Sequence, residues 1–166
     1  MGEFEMIYNS ALKFLSYRPR SEKEVRDRLR IKNHESGIKD LNLLIDQVIL
    51  KLKKYKFIDD TEFAKKWIEN RTRFKPRGLR LIKLELKKKG ISDEIIQTII
   101  HNSEFIIQND LEQAKKLVEK KIERFRNKFG MTREKTYQKL GRYLASKGFD
   151  WDTIKKSIDE VLGKVV

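Results

Sequence analysis

The chain repeats itself, and the repeat constrains its fold more than any other feature. Leu86-Lys87-Lys88-Lys89-Gly90-Ile91 aligns with Leu144-Ala145-Ser146-Lys147-Gly148-Phe149 at an offset of 58 residues. In that register Ile82 meets Leu140, Ile96 meets Ile154 and Ile100 meets Ile158. An offset of 57 lays the first third on the second: Pro19-Arg20-Ser21 falls on Pro76-Arg77-Gly78, Val25 on Ile82 and Leu29 on Leu86. Both prolines of the chain occupy the same repeat position. A unit of about 55 residues holds three helices and is marginal alone, so neighbours must stack to bury its remaining apolar face. The expected fold is all-α, with three tandem three-helix repeats at 1–54, 55–108 and 109–166. Stacking should give an elongated body, curved if each step adds a rotation.

Helical punctuation supports the repeat, and no strand alternation competes with it. Ser21-x-x-Glu24, Asp59-x-x-Glu62 and Asn109-x-x-Glu112 read as helix starts. Ser92, Thr132 and Asp150 are further caps, and Pro76 suits a first helical turn. Gly90, Gly130, Gly148 and Gly163 read as stops in the left-handed conformation. With helices over Met6–Tyr17 and Lys39–Lys54, nine are expected. The first repeat has Asn33 where the others have Gly90 and Gly148, and asparagine is the next-best left-handed cap. It also carries extra residues, His34–Leu41, which read as a surface loop.

Composition narrows the function classes. The 166 residues carry 39 Lys plus Arg against 25 Asp plus Glu, a net charge of +14, with no cysteine and two histidines. Disulfides, thiolate catalysis and cysteine-held metals are excluded, and a histidine metal site is not expected. No apolar run suits a membrane span, and no apolar stretch behind a basic N-terminus suggests a signal peptide. There is no Gly-rich phosphate loop, nucleophile elbow or HExxH, so no enzyme and no cofactor are expected. The positive charge is concentrated. Residues 70–90 hold 9 basic and 1 acidic, residues 91–114 hold 0 and 5, and residues 115–147 hold 12 and 3. Two basic blocks of this kind suit a polyanionic partner.

Other features have plain structural readings. Phe57, Phe63, Trp67 and Phe74 lie near the first basic block, but Phe63, Trp67 and Phe74 have the spacing of a buried helix face. Trp151 is expected to pack on the preceding helix. Asp59-Asp60, Asp93-Glu94 and Asp110/Glu112 sit where helix starts favour carboxylates for capping. Lys87-Lys88-Lys89 read as solvated charges at a helix C-terminus.

Several local sequences resemble the RecX family, bacterial regulators of the RecA recombinase. They are Ala11-Leu12-Lys13-Phe14-Leu15-Ser16-Tyr17-Arg18-Pro19-Arg20-Ser21-Glu22-Lys23-Glu24-Val25, Phe57-Ile58-Asp59-Asp60-Thr61-Glu62-Phe63-Ala64, Pro76-Arg77-Gly78-Leu79-Arg80 through Gly90-Ile91, and Leu144 through Phe149 with Ile154. The resemblance implies a non-catalytic protein of the bacterial cytoplasm. It implies binding to RecA and to the RecA–single-stranded DNA filament, and limits on filament growth, ATP hydrolysis and strand exchange. Direct binding to single- or double-stranded DNA is a weaker implication, and a monomer is expected. Candidate contacts are Arg18 and Arg20 in the first repeat, then Arg71, Arg73, Lys75, Arg77, Arg80 and Lys83 in the second. Arg124, Arg126, Arg133, Lys139 and Arg142 continue in the third. Arginine is favoured because guanidinium binds phosphate or carboxylate bidentately. An alternative is a sequence-nonspecific DNA-binding protein acting without RecA. A helix-turn-helix reading is weaker, because the would-be recognition helix carries Asp93 and Glu94 and no Lys or Arg.

Overall fold

Nine α-helices and no strand make up the described residues of the computed structural model, which are 2–74, 76–101, 104–126 and 132–163. They run α1 (Glu3–Leu15), α2 (Glu22–Asn33), α3 (Leu41–Lys54), α4 (Asp60–Phe74), α5 (Leu79–Lys88), α6 (Asp93–His101), α7 (Glu104–Arg126), α8 (Arg133–Ser146) and α9 (Trp151–Gly163). The repeat register is the core register. Val25 and Leu29 on α2, Ile82 and Leu86 on α5, and Leu140 and Leu144 on α8 are all 0 % exposed. Burying a side chain of this size stabilises by about 1.5–3 kcal/mol, so these pairs anchor each unit.

The chain divides into two compact units, Met1–Lys66 with Leu86–Ile95 and Trp67–Glu85 with Ile96–Val166. The middle helices α4, α5 and α6 are therefore shared between them. In the first unit α1, α2 and α3 pack pairwise around Ile7, Val25, Leu29, Ile45, Val48 and Leu52. In the second, α7, α8 and α9 do the same around Val118, Ile122, Leu140, Leu144, Ile154 and Ile158.

Within each unit two of the second helices meet end to end. In the first, α2 begins where α5 ends: Ser21 Oγ donates to the Lys89 carbonyl at 2.6 Å. In the second, α5 begins where α8 ends: the Gly78 N–H donates to the Lys147 carbonyl at 3.0 Å. The positive pole of one helix thus faces the negative pole of another. An aspartate completes each joint, with Asp60 accepting the Glu22 N–H at 2.8 Å and Asp110 the Leu79 N–H at 3.1 Å. Gly90 (φ +81) and Gly148 (φ +87) close α5 and α8. Beyond them the Ile91 and Phe149 N–H groups reach back to Leu86 and Leu144 at 3.1 and 3.3 Å, and both side chains are buried. A Cβ on Gly90 would lie 2.5 Å from that of Lys23, and one on Gly148 would lie 2.3 Å from Leu81 Cγ. These glycines turn the chain and also let the next helix approach.

The joints explain several departures from expectation. Asn33 is no left-handed cap. It stays inside α2 and donates its Nδ2 to the Leu29 carbonyl at 2.7 Å, with helical His34 following. Pro76 stands two residues ahead of the N-cap position Gly78, in the segment leading into α5 rather than in its first turn, as Pro19 stands ahead of Ser21. Asn109 lies inside α7, which starts at Glu104 and thereby buries Ile106. Asp110 caps α5 and not its own helix. Lys89 is not solvated, because its Nζ is 2.6 Å from Glu24. Gly163 is the last helical residue of α9, and no left-handed φ occurs there. Trp151 is 67 % exposed and does not pack inward; the buried aromatic at this turn is Phe149. Of the aromatic stripe, Phe63 is buried and Trp67 half-buried, while Phe57 and Phe74 are exposed at the ends of the packed turns. Gly130 lies outside the described residues. The extra residues after α2 do form a surface loop, with Gly37 and Asp40 at positive φ.

Candidate basic binding surface

The first unit places Arg18 and Arg20 in the turn between α1 and α2. Arg18 donates from Nη2 to Glu24 Oε1 at 2.9 Å. Glu24 also receives Lys89 and the Ser21 N–H. Burial alone would raise the Glu24 carboxyl; hydrogen bonds from Arg18, Lys89 and Ser21 outweigh it and hold the group at about 2. The Arg20 guanidinium carbon lies over the Phe14 ring, 4.1 Å from its centroid. Its Nε is buried with no hydrogen-bond partner, and burial followed by the Arg18 charge pushes its pKa down.

The second unit gathers Arg71 from α4 and Arg77 from the lead-in to α5 on one carboxylate. Glu85 accepts from Arg71 Nε at 2.6 Å, from Trp67 Nε1 at 2.9 Å and from Arg77 Nη1. On α5, Arg80 is exposed and Lys83 half-buried. Arg124 ends its side chain in solvent on α7, and Arg133, Lys139 and Arg142 are exposed on α8. Arg80, Lys83, Arg124, Arg133 and Arg142 have no ion-pair partner among the described residues, so their full charge is available to a ligand. Lys75 lies outside the described residues, as do the side chains of Arg73 and Arg126.

The structure also supplies cations that the basic-block reading passed over. Arg28 approaches the Phe14 ring at 5.7 Å, and Lys121 and Lys147 lie 4.7 and 5.6 Å from the Tyr143 centroid. Glu85 was hidden because a lone acid in a basic block reads as noise. Extending the repeat alignment from apolar to charged positions would have exposed both Glu85 and Arg28. Among the described residues no group of His, Asp and Glu could hold a metal ion, and no helix is long and apolar enough to cross a membrane.

This arrangement has relatives. Residues 8–40, 59–99 and 108–158 match the first, second and third three-helix domains of RecX. The chain is 34 % identical over 153 residues to the regulatory protein RecX of Bacillus licheniformis, covering 92 % of this chain and 54 % of that one. It is 36 % identical over 155 residues to the RecX of Clostridium tetani, covering 92 % and 65 %. The chain thus spans between about half and two thirds of these curated relatives. The crystal structure of RecX from Lactobacillus salivarius matches with a TM-score of 0.81 at 29 % identity, over 98 % of this chain and 97 % of that one. A second structure, of regulatory protein RecX, matches with a TM-score of 0.75 at 25 % identity, over 94 % and 71 %. With all three of the family's three-helix domains matched in order along it, the chain belongs to the RecX family.

Proposed function

We propose that this chain regulates the RecA recombinase without catalysing a reaction of its own. In this reading it binds RecA and the RecA–single-stranded DNA filament through its basic helical surfaces, limiting filament growth, ATP hydrolysis and strand exchange. The observation that carries the reading is the ordered match to three domains of a family whose members are named regulatory proteins. The solvent-facing Arg80, Arg124, Arg133 and Arg142 support a polyanionic or acidic partner.

The test is a titration of this protein into RecA on single-stranded DNA, following ATPase and strand exchange, with a bare-DNA binding curve at the same salt. Suppression well below the RecA concentration, where bare DNA is hardly bound, is the expected result. Suppression only once the DNA is coated would replace the reading with RecA-independent DNA binding. No effect at low salt would overturn it.

A further inference from the structure

The register that aligns the apolar core also aligns three positions outside it. Phe14, Arg20 and Arg28 of the first repeat correspond to Arg71, Arg77 and Glu85 of the second. In both repeats the three side chains meet. In the first, Arg20 and Arg28 lie 4.1 and 5.7 Å from the Phe14 centroid. In the second, Arg71 and Arg77 share the Glu85 carboxylate, and Arg71 also lies 4.5 Å over the Trp67 ring. An aromatic platform and a carboxylate are unrelated supports. Both gather two guanidiniums at one support, with N–H donors left over.

Glu85 is also the only acid within residues 70–90. A block rich in cations for a polyanion gains nothing from one negative charge unless that charge does something besides neutralise. Its side chain is 16 % exposed, so it is directed at the arginines more than at solvent. Burial alone would raise its pKa. Hydrogen bonds from Arg71 and Trp67 and the charges of Arg71 and Arg77 outweigh burial and keep it ionised. Arg71 is held by two contacts, Glu85 at Nε and the Trp67 ring beneath its guanidinium carbon. A guanidinium held in this way loses little rotamer freedom when it takes a ligand.

We propose that this register position is a phosphate site in the first two repeats, and that Glu85 is a positioning residue presenting Arg71 and Arg77 to a nucleic-acid phosphodiester. The inference rests on the basic-surface part of the function proposed above. A polyanion is favoured over a single acidic side chain because it adds counterion release to each contact and offers bases that stack on guanidinium planes.

The experiment measures binding of a labelled oligothymidylate by fluorescence anisotropy over a salt series. It compares the wild type with Glu85→Ala, Glu85→Gln, Arg71→Ala and Arg77→Ala, each checked for folding by circular dichroism. If Glu85 only neutralises, removing it must tighten binding. Positioning gives the opposite sign: Glu85→Ala weakens binding roughly threefold to tenfold although net charge rises. Glu85→Gln keeps an acceptor oxygen and falls between. Each arginine variant weakens binding and lowers the salt slope by about 0.7, the value of one phosphate contact on a single strand. Should Glu85→Ala destabilise the fold, Glu85→Gln carries the same comparison of sign. Tighter binding by the Glu85 variants would overturn the positioning role. Unchanged affinity and slope in both arginine variants, or no binding of the oligonucleotide at low salt, would overturn the site. RecA suppression that persists in the face of either result would leave the regulatory reading standing, so the two failures are separable.

Discussion

Replacing Gly78 by alanine tests the end-to-end joint of α5 and α8. The added Cβ would lie 2.2 Å from the Gly148 carbonyl oxygen and 2.3 Å from the Phe149 nitrogen, and both of these are backbone atoms. No rotamer can relieve such a contact, so the helix ends must separate. Overpacking of this kind costs about 1–3 kcal/mol, and the clash with backbone places it in the upper half of that range. Separation also breaks the 3.0 Å Gly78–Lys147 hydrogen bond, worth about 0.5–1.5 kcal/mol. Against this, alanine restricts the unfolded chain and returns about 0.4–1 kcal/mol. The net expectation is a loss of about 1.5–4 kcal/mol. Gly141, in the middle of α8, has nothing within 4 Å of a Cβ, so the same substitution there should stabilise by about 0.5–1 kcal/mol. Urea unfolding followed by far-ultraviolet circular dichroism gives both values. The reasoning fails if Gly78→Ala is as stable as the wild type, or if the two variants shift in the same direction.

Three further outcomes are expected. Burial, with the Asp150 charge added and only the Leu79 N–H opposing, pushes the Asp110 carboxyl up to about 7. A raised carboxyl binds its proton more tightly in the folded state, so stability should fall as pH rises from about 4 to about 7, by about 3–4 kcal/mol. Asp110→Asn should flatten that dependence in urea midpoints measured across the range. Glu24 behaves oppositely: held at about 2, it stabilises above the usual carboxylate range and loses that effect as pH falls towards 2. Glu24→Gln should cost about 2 kcal/mol at neutral pH and little in strong acid, checked by thermal melts at both. Lys56 closes α3 at φ +56 with the Phe57 N–H reaching back to Leu52 at 2.9 Å. Lys56→Gly should therefore raise stability by about 0.5–1 kcal/mol in the same urea assay, once glycine's own entropy is set against the relieved strain.

Local residue patterns are enough to place the helices, their order and most of the faces they bury. Val25, Leu29, Ile82, Leu86, Leu140 and Leu144 could be placed in the core because a helix repeats its faces locally, and the alignment showed the same face three times. Capping at Ser21, Asp59 and Thr132 was legible for the same reason, since each cap bonds an amide within three residues. The basic blocks could be counted, but not sorted into paired and available charges. That sorting depends on partners far apart in sequence, such as Lys89 with Glu24 or Arg71 with Glu85. The tertiary structure alone decided that Asp60 and Asp110 cap other helices and that Asn33 needs no left-handed turn. It also decided that Gly78, Gly90 and Gly148 are small because a second helix end, or a side chain beside it, occupies the space a Cβ would take. Local chemistry is written in neighbouring residues; a helix end meeting another helix is a contact between distant ones, and only folding brings them together.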